Sequence, residues 1–365
     1  MTVRIANQPV NIREKLSELE RPIGVNGAAL MSTNTPQEAF NIISAGRKNL
    51  IINGGMNVWQ RGTSFLDPAS ASYTADRWKN STNPTDISRS TDVPSGEPFT
   101  YSMLMAANGS GGTRHAALQG VELPATGSAG PFKVGTTWTF SCWLKGGASG
   151  SIFFGIDFRD DPNSGTNAVA VGSTNFNYTT SWQKFTYTFT VGASPGGTNL
   201  CLAIILYAGT APANNLYITG CQLEQGKVAT PFEYRSYGEE LALCQRYYER
   251  WTGTGSTVWY TGHGYATQIY LWLPYKVPKR TSPSGSGDVV SYSSATANAL
   301  INAYGNTNTS GSISGIMTSS PFVVSSTNTD LSFYINLSTS TYTPYGTAIL
   351  WGITNNNWID VSSEF

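Results

Sequence analysis

The sequence predicts a mainly β protein with short N-terminal helices, a jelly-roll β-sandwich, a linking helix and a second, C-terminal β-sandwich. Three observations predict it. Long stretches alternate apolar and polar residues with period two, and turns rich in Gly, Pro, Asn and Ser separate them without intervening helices. Charged residues make up only 12% of the chain while hydrophobic residues hold at 40%, against about 25% charge in a typical globular protein. Short antiparallel strands joined by tight turns close into a sandwich or jelly roll. The 365 residues suffice for about two or three domains.

In chain order, residues 1–48 carry helical signals. Ile12, Leu16 and Leu19 recur at helical spacing among Arg13, Glu14, Lys15, Glu18 and Glu20, and Pro22 and Gly24 end the pattern. Thr35, Pro36 and Glu38 announce a second helix with a capping box, Ala39, Phe40, Ile42 and Ile43 supply its apolar face, and Gly46 closes it. Helices of about ten residues are marginal alone, so this pair must pack on the next domain or on copies of itself.

Residues 49–235 form the predicted jelly roll. Trp138, Phe140, Cys142 and Leu144 alternate with Thr139, Ser141 and Trp143. Ile152, Phe154, Ile156 and Phe158 share a face, and Phe185, Tyr187 and Phe189 alternate with threonines. These are half-buried strands, separated by turn clusters at 145–150, 160–165 and 192–197. Ser236 and Glu239 make another capping box, which predicts a linking helix over 236–250 with Leu241, Cys244 and Tyr248 on one side. Residues 251–365 form the C-terminal β-rich domain. Strands are expected at 267–275, around Phe333, Ile335 and Leu337, and at 347–353, and the ionised side chains are Lys276, Lys279, Arg280, Asp288, Asp330, Asp360 and Glu364.

Composition narrows the function classes. Lys plus Arg and Asp plus Glu are each 22, so the basic excess that displaces counterions from nucleic acid is missing and no nucleic-acid partner is expected. No stretch reaches the roughly 18 apolar residues of a membrane helix, and the N-terminus lacks an apolar leader, so the expectation is a soluble product of a cytosol without membrane insertion. Cys142, Cys201, Cys221 and Cys244 form no Cys-x-x-Cys pair and read as buried thiols.

Catalytic signatures are weak. His115 and His263 are too few for a three-histidine zinc site within one chain. The G-x-S-x-G match at 192–196 lies between two strand patterns, 185–191 and 199–207, where a nucleophile elbow requires a strand followed by a helix. A glycosidase needs convergent carboxyls, and the C-terminal domain has four acids in all, though pairs drawn from different domains or subunits stay open. The expectation is no enzyme and no catalytic residue.

Binding chemistry has more material. Trp59, Arg61, Asp76, Arg77 and Trp78 read either as a carbohydrate platform or as core, with Asp76 paired to Arg61 or Arg77, and core is favoured because large aromatics in sheet proteins mostly fill interiors. In the C-terminal domain, Tyr304, Tyr342, Tyr345 and Trp358 sit in loop-like sequence amid short hydroxyl and amide side chains, which pair with sugar hydroxyls without the desolvation cost of charges. They are the carbohydrate-binding candidates.

Residues 47–65 (RKNLIINGGMNVWQRGTSF), 73–78 (YTADRW) and 219–249, taken in order, resemble tail-fibre and related virion proteins of tailed bacteriophages. The resemblance covers roughly residues 1–250 and implies a jelly-roll domain of carbohydrate-binding-module type between the first and last motifs. Residues 3–20 (VRIANQPVNIREKLSELE) resemble a virion-attachment segment. The resemblance further implies a homotrimer in the virion tail, made in the host cytoplasm, attached to other tail proteins through residues 1–48 and binding host surface polysaccharide. A capsid-decorating or tail-adaptor protein without receptor binding, and a polysaccharide depolymerase, are the alternatives. Modules of this kind can hold calcium, for which Asp157, Asp160 and Asp161 are the candidate ligands, although the run from Asp157 to Gly165 also makes an ordinary turn with Arg159 as counter-charge. No other cofactor is expected.

Overall fold

The computed structural model describes residues 48–364 except 83, 107–113, 209–213, 254–256, 267, 282–289, 293–300, 305–321, 327–329, 337–341 and 353–356. The two expected N-terminal helices, and Leu337, lie outside the described residues. The described part is mainly β, with a single helix.

The first unit contains β1 (Ser64–Phe65), β2 (Asp86–Ser90), β3 (Ser102–Ala106), β4 (His115–Glu122), β5 (Thr137–Gly146), β6 (Gly150–Arg159), β7 (Val169–Tyr178), β8 (Gln183–Thr190), β9 (Cys201–Ala208) and β10 (Leu216–Gln225). They form two antiparallel sheets, ordered β1-β2-β3-β10-β5-β8 and β4-β9-β6-β7. The period-two residues fill the space between the sheets as expected. Phe140 of β5 stacks on Phe154 of β6 with centroids 4.3 Å apart, Phe154 stacks on Phe176 at 5.3 Å, and Phe132 packs on Trp138 at 4.6 Å. Leu144, Ile152, Ile156, Leu202, Ile204 and Ile218 complete the core. Burying each such side chain contributes about 1.5–3 kcal/mol, which is why the alternation sets register: a slip by one residue would turn every core side chain outward.

After the sandwich comes α1 (Tyr237–Gln245). Its start follows the sequence, since Ser236 accepts from the Glu239 N–H while the Glu239 carboxylate accepts from the Ser236 N–H. Its end does not. The expected helix over 236–250 stops at Gln245, because residues from Tyr248 onward join a sheet: β11 (Tyr248–Gly253) pairs antiparallel with β19 (Asn357–Ser362) over six residues. Tyr, Trp and Thr favour strands, and here tertiary pairing overrides a local helical pattern.

The second unit adds β12 (Thr257–Ala266), β13 (Gln268–Pro274), β14 (Val290–Tyr292), β15 (Ile301–Tyr304), β16 (Phe322–Ser326), β17 (Asp330–Asn336) and β18 (Tyr342–Gly352). Its sheets run β11-β19-β14 and β15-β18-β12-β13-β17-β16. The loop-like reading around the four candidate aromatics is corrected here. Tyr304 ends β15, Tyr342 and Tyr345 lie in β18, and Trp358 lies in β19. The β12–β18 ladder shifts register between Gly264 and Ala266, opposite the stretch Tyr342–Gly346, and Pro344 is tolerated in a strand at such an irregularity.

Candidate functional site

The three segments that carry the family resemblance meet inside the molecule. The Leu50 N–H donates to the Leu223 carbonyl at 2.9 Å, and the Cys221 N–H donates to the Gly54 carbonyl at 3.0 Å. Asn49 bridges the same strand, its side-chain amide donating to the Cys221 carbonyl (3.1 Å) and its Oδ1 accepting from the Leu223 N–H (3.1 Å). Glu233 accepts from the N–H groups of Lys48 (2.8 Å) and Asn49 (2.5 Å), Glu240 accepts from the Asn53 N–H (2.5 Å), and Arg235 donates to the Ile51 carbonyl (3.1 Å). Gly54 is required by the close approach, since a Cβ there would lie 2.1 Å from the Cys221 oxygen. The motifs therefore tie the entry and exit of the sandwich to each other and to α1.

Trp59, Arg61, Asp76, Arg77 and Trp78 belong to this interior, as the core reading expected. Trp59 and Trp78 are buried, and their indole N–H groups donate to the carbonyls of Met56 (2.7 Å) and Asn53 (3.0 Å). Asp76 accepts two hydrogen bonds from Gln60 and lies 4.0 Å from Arg61. Burial raises its pKa above the ordinary carboxylate value, against the pull of Arg61 and Gln60. Arg77 pairs with Glu364 and lies 3.5 Å over the Tyr247 ring. Burial opposes its charge, yet the Glu364 carboxylate raises its pKa overall.

The three candidate calcium ligands do not converge. Asp157 pairs with Arg159 at 2.6 Å, Asp161 pairs with Lys79 at 2.5 Å, and Asp160 accepts from Thr198, Asn199 and Asn167. Those three bonds hold the Asp160 pKa below the ordinary value. Each carboxylate has its own partners, and among the described residues no group of three His, Cys, Asp or Glu side chains is placed to hold a metal. For Tyr304, Tyr342, Tyr345 and Trp358 the strand positions are described, opposite Thr347 for Tyr304, Ala266 for Tyr342 and Thr252 for Trp358. Their side chains lie outside the described residues.

Two aromatic pockets occur on the first unit instead. The larger, about 310 Å³, is walled by the rings of Trp59, Tyr101, Tyr234 and Tyr237, with Asn57, Gln60, Arg89 and Thr100 as polar lining. Tyr234 and Tyr237 are 60% and 57% exposed, and together they add apolar ring surface at the rim of this pocket. Asn57 Oδ1 is buried, and among the described residues no group donates to it; an unsatisfied buried acceptor costs about 1–3 kcal/mol. The smaller pocket, about 240 Å³, has Trp143 and Phe232 as rings with Glu97, Lys184 and Ser141 beside them.

The pockets share two segments, around residues 97–101 and 229–237. Glu97 faces the smaller, while Thr100 and Tyr101 face the larger; Phe232 lines the smaller, while Tyr234 and Tyr237 line the larger. Between them Phe99 and Phe232 meet edge to face at 5.0 Å. The floor of the smaller pocket depends on a bulge in β10 at Gly220, whose φ of +63° suits glycine and where a Cβ would come within 2.6 Å of Phe99 and 2.9 Å of Trp143. Along the same outward face, Trp182 and Tyr217 meet at 6.2 Å, and Asp92 accepts from Trp182 (2.9 Å) and Lys145 (2.5 Å). Burial raises the Asp92 pKa, but these two donors outweigh it and lower it overall.

Pockets of this size, with ring walls and a few polar groups, suit a small polar ligand carrying an apolar face. Neither pocket contains the sequence-based candidates Tyr304, Tyr342, Tyr345 and Trp358, which all belong to the C-terminal domain. The same criterion, tyrosines in turn-like sequence, points to Tyr234, which precedes the expected helix, but not to Tyr237, which lies inside it.

No family model matches the chain, and no curated protein matches it. Among solved structures, it is similar to a family 16 carbohydrate-binding module (18% identity, 38% of this chain and 84% of that one, TM-score 0.26). It is also similar to the enzymatically active domain of tailspike protein 4 of bacteriophage CBA120 (14% identity, 49% of this chain and 21% of that one, TM-score 0.31). A cyclase from Fischerella sp. TAU scores alike (12% identity, 50% and 99%, TM-score 0.32). A binding module and enzymes at equal distance carry no argument on function, which rests on the site itself.

Proposed function

We propose that the chain is a non-enzymatic attachment protein of a bacteriophage tail, fixed to the virion through residues 1–48 as a homotrimer and binding host surface glycan. Glycan binding rests on one observation, the paired aromatic pockets with Tyr101, Tyr234 and Tyr237 around one and Trp143 and Phe232 in the other. Sugar rings stack their C–H faces on such rings while Asn, Gln and Thr side chains meet their hydroxyls. Repetition of two weak pockets over several subunits raises avidity through effective concentration. The virion assignment rests on the sequence motifs of residues 3–20, 47–65, 73–78 and 219–249. Of the carboxylates among the described lining residues, the smaller pocket has Glu97 and the larger has none, which favours adhesion over a two-carboxyl hydrolysis.

The test is binding of the full chain to purified host envelope polysaccharide, alongside the Tyr234→Ala and Tyr237→Ala variants. Both side chains are exposed, so the fold should survive while affinity falls with each lost ring. No binding by the parent protein would favour the capsid-decorating or tail-adaptor role, and release of reducing sugar would favour a depolymerase. Antibody labelling of residues 1–48 in assembled particles tests the virion assignment, and absence from particles would remove it.

A further inference from the structure

The geometry points to a carboxylated sugar, such as a uronic or sialic acid unit, as the occupant of the larger pocket, with Arg89 as the residue that selects it. The inference deepens the glycan-binding reading and rests on it. Arg89 is exposed on β2 and lines the pocket, and none of the other described lining residues is charged. Its guanidinium lies 4.3 Å from the centroid of the Tyr101 ring. Stacking on a ring leaves the edge of the guanidinium plane pointing sideways, and that edge is the planar fork that meets a carboxylate with two parallel hydrogen bonds. The same Tyr101 ring belongs to the pocket wall, so a sugar seated against Tyr101, Tyr234 and Tyr237 would place a ring carboxylate within reach of Arg89.

The neighbouring pocket offers a contrast within the molecule. It carries both Glu97 and Lys184 and so presents both signs of charge. The formal net charge of the whole chain is zero, so a preference for acidic sugar has to come from the local site and not from a general basic field.

The experiment compares oligogalacturonate and oligosialate with their own methyl esters, which keep the shape and remove the charge. Binding of each to the full chain is measured by titration calorimetry at low and high salt. The acid should bind on the order of tenfold more tightly than its ester for at least one pair, as expected of a charge-assisted hydrogen bond, and the ratio should shrink as salt rises. Arg89→Gln should bring acid and ester level, and Arg89→Lys should keep part of the preference. Equal binding of acid and ester, or a preference that persists in Arg89→Gln, overturns the inference alone. So does binding of host polysaccharide through Tyr234 with no binding of either acid. If no saccharide binds at all, the glycan-binding reading falls with it.

Discussion

Arg77 and Glu364 form an ion pair across 287 positions of sequence, with side chains only 1% and 4% exposed. Arg77 also donates to the Gly120 carbonyl at 2.7 Å, and Glu364 reaches Arg61 at 3.5 Å. The C-terminal tail is thereby inserted between residues of the first unit. Glu364→Ala should destabilise the protein by about 3–5 kcal/mol, because it leaves a guanidinium charge in the interior without its carboxylate. Urea unfolding measures this. The double variant Arg77→Met with Glu364→Leu should recover most of the loss, and a single variant within about 0.5 kcal/mol of the parent, the range of an ordinary surface substitution, would refute the role of the tail.

Lys279 and Glu249 repeat the arrangement at the base of the second unit. Their side chains are fully buried and 2.6 Å apart, and Lys279 also donates to the Gln245 carbonyl at the end of α1. Burial lowers the Lys279 pKa, with Glu249 opposing it. Lys279→Met should cost about 3–5 kcal/mol, and combining it with Glu249→Leu should restore much of that. A double-mutant cycle with no coupling would show that the pair does not act as a unit.

His115 should make stability depend on pH. Its ring meets Thr85 Oγ1 at 2.8 Å and the Asn214 carbonyl at 2.7 Å, and burial lowers its pKa from 6.5, partly offset by the Asn214 bond. The unfolded chain then binds the proton more readily than the folded one. Stability from the neutral ring is present above pH 6.5 and is lost as pH falls from there through the lower folded value. His115→Gln should flatten that part of the melting-temperature profile, and an unchanged slope would count against the assignment.

The four cysteines should be silent in the native protein. Cys142, Cys201, Cys221 and Cys244 are all free and buried, and burial raises each thiol pKa, that of Cys201 to about 12. A thiol kept protonated and covered does not react. A colorimetric thiol reagent should find none before denaturation and all four afterwards; rapid native labelling of any one would contradict its placement.

The strands of the first unit were readable because burial of one face imposes period two, and Phe140, Phe154 and Ile156 obey it. The start of α1 was readable because the Ser236–Glu239 capping box is local chemistry. Its end was not, since Tyr248 answers to Ser362, a partner 114 positions away. The loop-like reading of Tyr342 and Tyr345 failed for a similar reason: only the facing strand β12 shows that this stretch pairs, through an irregular ladder. Trp59 and Trp78 were placed in the core on the general habit of large aromatics in sheets, and the interior bonds to Met56 and Asn53 bear this out.

The larger pocket was out of reach of any spacing argument, because Asn57, Arg89, Tyr101 and Tyr234 come from four separate stretches of chain. Periodicity and turn chemistry act between residues a few positions apart, and they sufficed for the β architecture, the helix start and the inward faces of the strands. Which charges became interior pairs, and which tyrosines stayed outside to wall a pocket, was settled only when distant segments packed together, since burial and pairing are properties of neighbours in space.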